Sequence, residues 1–117
     1  MAFKSTDFKC HFLILDMNIK FNYLYRDGAN YKQNNSEIFS NSTGLAIVHI
    51  ENAIRSALID EGWFYADRCG LKDLHLYKWD NTIDHEWHEY DCIEATEEDA
   101  TMGEVVDFIE LIREANK

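Results

Sequence analysis

From Asn18 to Arg26 the chain alternates strictly, with Ile19, Phe21, Tyr23 and Tyr25 on one side and Lys20, Asn22, Leu24 and Arg26 on the other. Strand side chains repeat every two residues, so this stretch predicts a strand with one aromatic, core-facing side. Asp27-Gly28 then supplies a turn, with the glycine expected to take a positive φ that other residues resist. Residues 31–36 are polar and aperiodic, and Glu37-Ile38-Phe39-Ser40 reads as a short strand returning antiparallel to the first. Between Leu45 and Glu61 the apolar positions Ile47, Ile50, Ile54, Ala57 and Leu58 recur three and four apart, which predicts an amphipathic helix. Ser42 or Thr43 offers that helix a cap, and Gly62 is placed to end it.

Trp63 to Ala66 is a strand-prone run without alternation, as expected of a strand buried on both faces. Arg68 to Asp73 reads as a turn and Leu74 to Trp79 as a further strand. From His85 to Ile93 the chain alternates again: His85, Trp87, Glu89, Asp91 and Ile93 share one face, and Glu86, His88, Tyr90 and Cys92 the other. Thr101-Met102-Gly103-Glu104 has the form of a capping box, and a second helix follows on the stripe Met102, Val105, Val106, Ile109 and Ile112, with Phe108 at its edge. The expected fold is α+β: a two-layer, mostly antiparallel sheet of four or five strands with two helices packed on one face. Residues 1–16 are expected to be an N-terminal extension or an edge strand, and residues 17–117 a single domain.

Composition sharpens this picture in two ways. The formal charge is −11, from 22 acidic and 11 basic side chains. Such a chain repels phosphate backbones, which argues against direct nucleic-acid binding and for basic protein surfaces as partners. Cys10, Cys69 and Cys92 are odd in number and widely spaced, so neither a disulfide framework nor a zinc finger is expected, and a cytoplasmic location fits reduced thiols. The longest apolar run in the first 16 residues is Phe12 to Leu15, too short for a membrane span.

Two clusters carry the available chemistry. Arg26, Asp27, Asn30, Tyr31 and Lys32 bring a guanidinium, a carboxylate, an amide, a phenol and an ammonium into one turn, as an anion or peptide site would. The same residues also serve a turn that is only structural, with Asp27 and Asn30 holding its N–H groups and Arg26 paired with an acid. Asp84-His85-Glu86-Trp87-His88-Glu89 is the densest group of ligating and proton-transferring side chains. On the predicted strand, however, His85 and His88 point to opposite faces and cannot share a metal without a bulge, so no metal and no cofactor is expected. There is no G-x-S-x-G elbow and no glycine-rich phosphate loop.

Tyr25-Arg26-Asp27, Asn30-Tyr31-Lys32, Ile38-Phe39-Ser40, the helix of Ile50 to Asp60 and Asp84-His85 with Trp87-His88-Glu89 together resemble a group of small bacterial proteins of unknown function. The resemblance spans residues 17 to about 112. It implies a compact bacterial domain and carries no activity or site with it. The chain departs from the pattern between Leu71 and Thr82, where the resemblance implies a Pro-containing loop and Lys72 stands instead.

The function these readings favour is a non-catalytic protein-binding or interaction module, engaging another protein or itself, with Arg26, Asp27, Asn30, Tyr31, Lys32, His85, Trp87 and His88 as candidate contacts. Two alternatives are a metal-assisted or acid/base enzyme using Asp84 to His88, and an acidic decoy of nucleic acid. Six tyrosines and three tryptophans exceed what a small core needs, which favours an exposed aromatic patch.

Overall fold

The computed structural model describes residues 17–75 and 78–116. The expectation for residues 1–16 lies outside them. The alternating stretch forms strand β1 (Asn18–Arg26), and its four inward side chains are all buried. Strand β2 (Lys32–Phe39) pairs with it antiparallel from Arg26↔Lys32 to Ile19↔Phe39. It starts five residues before the short strand expected from Glu37. Ladder hydrogen bonds to β1 carry the polar residues into the sheet, where Asn35 donates to the Tyr23 hydroxyl at 3.1 Å.

The turn between the two strands is also built differently from expectation. Its left-handed residue is Asn30 (φ 68°), and Gly28 serves close approach instead. The Gly28 N–H donates to the Ile83 carbonyl at 2.7 Å, and a Cβ at Gly28 would lie 3.3 Å from the Ile83 backbone.

On its other side β1 pairs antiparallel with β4 (His88–Thr96), which in turn pairs with the two-residue β3 (Trp63–Phe64). The order β2-β1-β4-β3 is antiparallel throughout. β3 is an edge strand, with Trp63 outward and Phe64 buried, so the doubly buried strand expected at 63–66 is corrected. Register slips between β1 and β4: Asn22 faces Cys92 but Tyr23 faces Tyr90, leaving Asp91 as a bulge. The bulge reverses the phase of β4, so that His88 and Tyr90 before it and Ile93 after it all turn toward the core. His88 and Ile93, expected on opposite faces, therefore share one. β4 also begins three residues after His85, so that Trp87, expected within the strand, precedes it and is exposed. No strand forms at Leu74-His75 or Lys78-Trp79; Leu76 and Tyr77 are not among the described residues.

Helices α1 (Ile47–Ala57) and α2 (Val105–Ala115) bury Ile50, Ile54 and Ala57, and Val105, Phe108, Ile109 and Ile112. These stripes share one core with Phe21, Tyr23, Phe39 and Phe64 of the sheet. Phe108 sits at the centre of its stripe, stacked on Phe39 at 4.2 Å and edge-on to Phe21 at 5.0 Å. The capping box does not form. The Thr101 hydroxyl accepts the Ile38 N–H and donates to Glu37, while Glu104 takes the Ser40 and Ser42 hydroxyls, so both side chains tie down the end of β2. Ser42 and Thr43 make no cap for α1 either, because its N-cap is Ala46. No described helix is long and apolar enough to cross a membrane.

α1 stops at Ala57 rather than running to Glu61, because Leu58 turns extended to reach the core. The reversal into β3 then falls on Asp60 (φ 49°) and Glu61 (φ 61°), the φ signs of a type I′ turn, closed by the Gly62 N–H donating to the Ile59 carbonyl at 3.0 Å. Aspartate tolerates this conformation, but glutamate does not favour it. Glu61→Gly is therefore expected to raise the unfolding free energy by about 0.5–1 kcal/mol, the left-handed penalty less the extra entropy of glycine in the unfolded chain. A urea titration reads this as a higher midpoint at unchanged slope.

Candidate functional site

Tyr25, the last inward residue of β1, is walled by histidines. The rings of His75, His85 and His88 lie 4.3, 5.1 and 5.2 Å from the Tyr25 ring. The Tyr25 hydroxyl donates to Asp84 Oδ1 at 2.6 Å and accepts the His85 N–H at 3.3 Å. Burial, and then the Asp84 carboxylate, push the phenol well above its ordinary pKa. The same hydrogen bond, with the Asp80 N–H at 2.8 Å, holds the Asp84 carboxyl below the usual range.

Each imidazole is engaged with its own surroundings. His85 Nε2 faces the Arg26 carbonyl at 2.8 Å, and a carbonyl can only accept, so this nitrogen carries the proton. His75 Nε2 likewise donates to the His85 carbonyl at 2.8 Å, and its Nδ1 meets Asp73. His88 Nε2 instead accepts the Leu74 N–H at 3.0 Å, which leaves the proton on Nδ1. That Nδ1 has no hydrogen-bond partner of good geometry among the described residues.

Burial lowers the pKa of His88, and this outweighs the opposing pull of Asp73; His75 and His85, facing it, act in the same direction as burial. The sign for stability follows from linkage. Below about pH 6.5 the unfolded chain binds a proton at His88 that the folded ring refuses, so stability declines on acidification through that value and is fully present above it. Urea midpoints compared at about pH 7.5 and 5.5 should show this decline, and His88→Leu, though less stable at both, should flatten it.

The tryptophans close the cluster from outside. Trp87 stacks on His85 (4.5 Å, 17°) and Trp79 packs against His75 at 4.8 Å. Trp87 also lines a cleft of about 360 Å³, together with Ile59, Asp60, Trp63 and Tyr65. Trp63 is 38% exposed and Trp87 43%. The Arg68 guanidinium lies 3.9 Å above the Tyr65 ring.

Of the residues singled out in the sequence, the structure brings His85 and His88 together around Tyr25, with Trp87 stacked on His85. His85 and His88 are not on opposite faces of a strand, as expected. His85 precedes β4 and folds back, so both rings rest on one phenol. The turn residues serve mostly one another. Arg26 makes a two-pronged pair with Glu89 (2.9 and 3.4 Å) and donates to Asn30 at 2.7 Å. Asp27 is buried and accepts the Ala29 and Tyr31 N–H groups, while Tyr31 and Lys32 project outward, Tyr31 63% exposed. Sequence reasoning missed Ile59, Asp60, Trp63 and Tyr65 as one wall. The signal was an exposed tryptophan beside a turn, and alternation at 63–66 would have revealed it.

The arrangement offers little chemistry. No three His, Cys, Asp or Glu side chains among the described residues are placed to hold a metal ion. Burial raises the Cys69 thiol to about 11, and burial with Asp91 raises Cys92, so neither is a thiolate at neutral pH. No histidine is among the described residues lining the cleft. Fold and site define a small α+β domain with an aromatic-walled surface cleft. No protein-family model, curated protein or solved structure matches the chain.

Proposed function

We propose that this domain is a non-catalytic interaction module that receives part of another protein in the cleft between Trp63 and Trp87. The observation that carries this reading is the exposure of both tryptophans on one concave surface. Large aromatic side chains in solvent are the residues that anchor interfaces. Trp87 is held in place by its stack on His85, whose own ring is bonded to the Arg26 carbonyl, so little rotamer entropy is lost when a partner docks. The histidine cluster is on this reading a scaffold, and the excess of acidic over basic side chains speeds encounter with basic partners.

The test is a titration with mixed short capped peptides, followed through the indole N–H signals. Those of Trp63 and Trp87 should move saturably and that of Trp79 should not. Trp63→Ala should weaken binding at least about tenfold, as truncation of an interface anchor does, and lower stability by about 1–3 kcal/mol for the buried part of the ring while leaving the domain folded. Indole signals indifferent to every peptide would remove the reading.

A further inference from the structure

The cleft also specifies what kind of group enters it. We infer that its occupant is a cationic side chain, of lysine or arginine type, from a basic partner; this rests on the interaction-module reading above. The face of an indole or phenol ring is electron-rich and attracts a cation, and Trp63, Tyr65 and Trp87 supply three such rings around one space. Asp60 adds a carboxylate to the same wall, and Ile59 an apolar surface on which the methylene stem of a long cationic side chain can lie. A volume of about 360 Å³ is at the small end of ligand sites and suits a single side chain better than a folded segment.

Charge around the cleft points the same way. Glu61 adjoins Asp60, Glu86 adjoins Trp87, and Asp67 lies two residues from Tyr65, each of the three exposed. Against these four acids stand Arg55, which pairs with Glu51 and donates to the Glu61 carbonyl at 3.2 Å, and Arg68, whose guanidinium already rests on the Tyr65 ring. That contact shows the wall accepting a cation from its own chain and leaves the two tryptophans for an incoming one. An anionic group would meet Asp60 and find no cation among the described lining residues.

The experiment compares capped Gly-Lys-Gly, Gly-norleucine-Gly and Gly-Glu-Gly, each titrated into the whole protein and followed by the indole N–H signals. Norleucine keeps the lysine stem and lacks the charge. The lysine peptide should shift Trp63 and Trp87 saturably, the norleucine peptide at least about tenfold more weakly, and the glutamate peptide not at all. Asp60→Asn, which keeps a residue at ease with positive φ, should weaken the lysine peptide by about threefold to tenfold without unfolding the domain. Norleucine binding as tightly as lysine, or an Asp60→Asn variant that binds lysine as before, would overturn the cationic assignment and leave the cleft an apolar docking site. Indifference to all three peptides would overturn the interaction reading and the assignment together.

Discussion

Phe21→Ala lowers the unfolding free energy by about 4 kcal/mol, the ordinary cost of truncating a buried phenylalanine. Phe21 is 1% exposed and touches every layer of the core. Its ring lies 5.8 Å from Tyr23 in its own strand, 5.7 Å from Phe64 in β3, 5.4 Å from Tyr90 in β4 and 5.0 Å from Phe108 in α2. No single neighbour can move to fill the void without leaving another contact, so the cavity term adds fully to the lost transfer energy. Domains of this size have total stabilities of about 5–15 kcal/mol, so the variant should be largely unfolded at modest urea concentrations. A loss below about 1 kcal/mol would mean that β1 does not present this face to the helices.

Tyr25→Phe removes one oxygen and should lower stability by about 2 kcal/mol, the range for a hydrogen bond to a charged group. The ring and its three histidine neighbours stay. What is lost is the link from β1 to Asp84 and to the His85 N–H, and with it the tether of the segment that carries Trp87. The Trp87 indole signal should therefore shift and broaden in this variant, while that of Trp63 changes less. The pH dependence gives a second readout. In the folded state the Tyr25 phenol titrates above its ordinary value near 10, so above that pH the unfolded chain releases a proton the folded chain keeps, and stability declines. Tyr23 and Tyr90 contribute in the same sense. In Tyr25→Phe the alkaline decline should be shallower by one proton, which stability measured across about pH 9–11 resolves.

The contrast between Phe21 and Tyr25 shows how far the pattern of residues reaches. Both are inward positions of one alternating stretch, and both are buried. Phe21 meets the helical stripes that 3.6-residue periodicity identifies. Tyr25 meets His75, Asp84 and His85, which lie outside the regular elements although the sequence around His75 and His85 reads as strand. Alternation carried back to His85 therefore put His85 and His88 on two faces of one strand, whereas the strand begins only at His88. Thr101 and Glu104 fail for a related reason: their spacing matches a capping box, but the end of β2 lies close enough to claim both side chains. A local motif states which hydrogen bonds are available, and the neighbouring element decides which are made.

Periodicity alone determined the α+β class, the full extent of β1, and most of the buried residues of both helices, because these depend on interactions within a few residues along the chain. Two features depended on the tertiary structure: the bulge at Asp91 and the gathering of Trp63, Tyr65 and Trp87 into one cleft. The bulge arises because β4 must satisfy β1 on one side and β3 on the other, and the cleft arises because the turn brings an edge strand beside the residue preceding β4. Such contacts join residues more than twenty positions apart, and no window of sequence contains both partners.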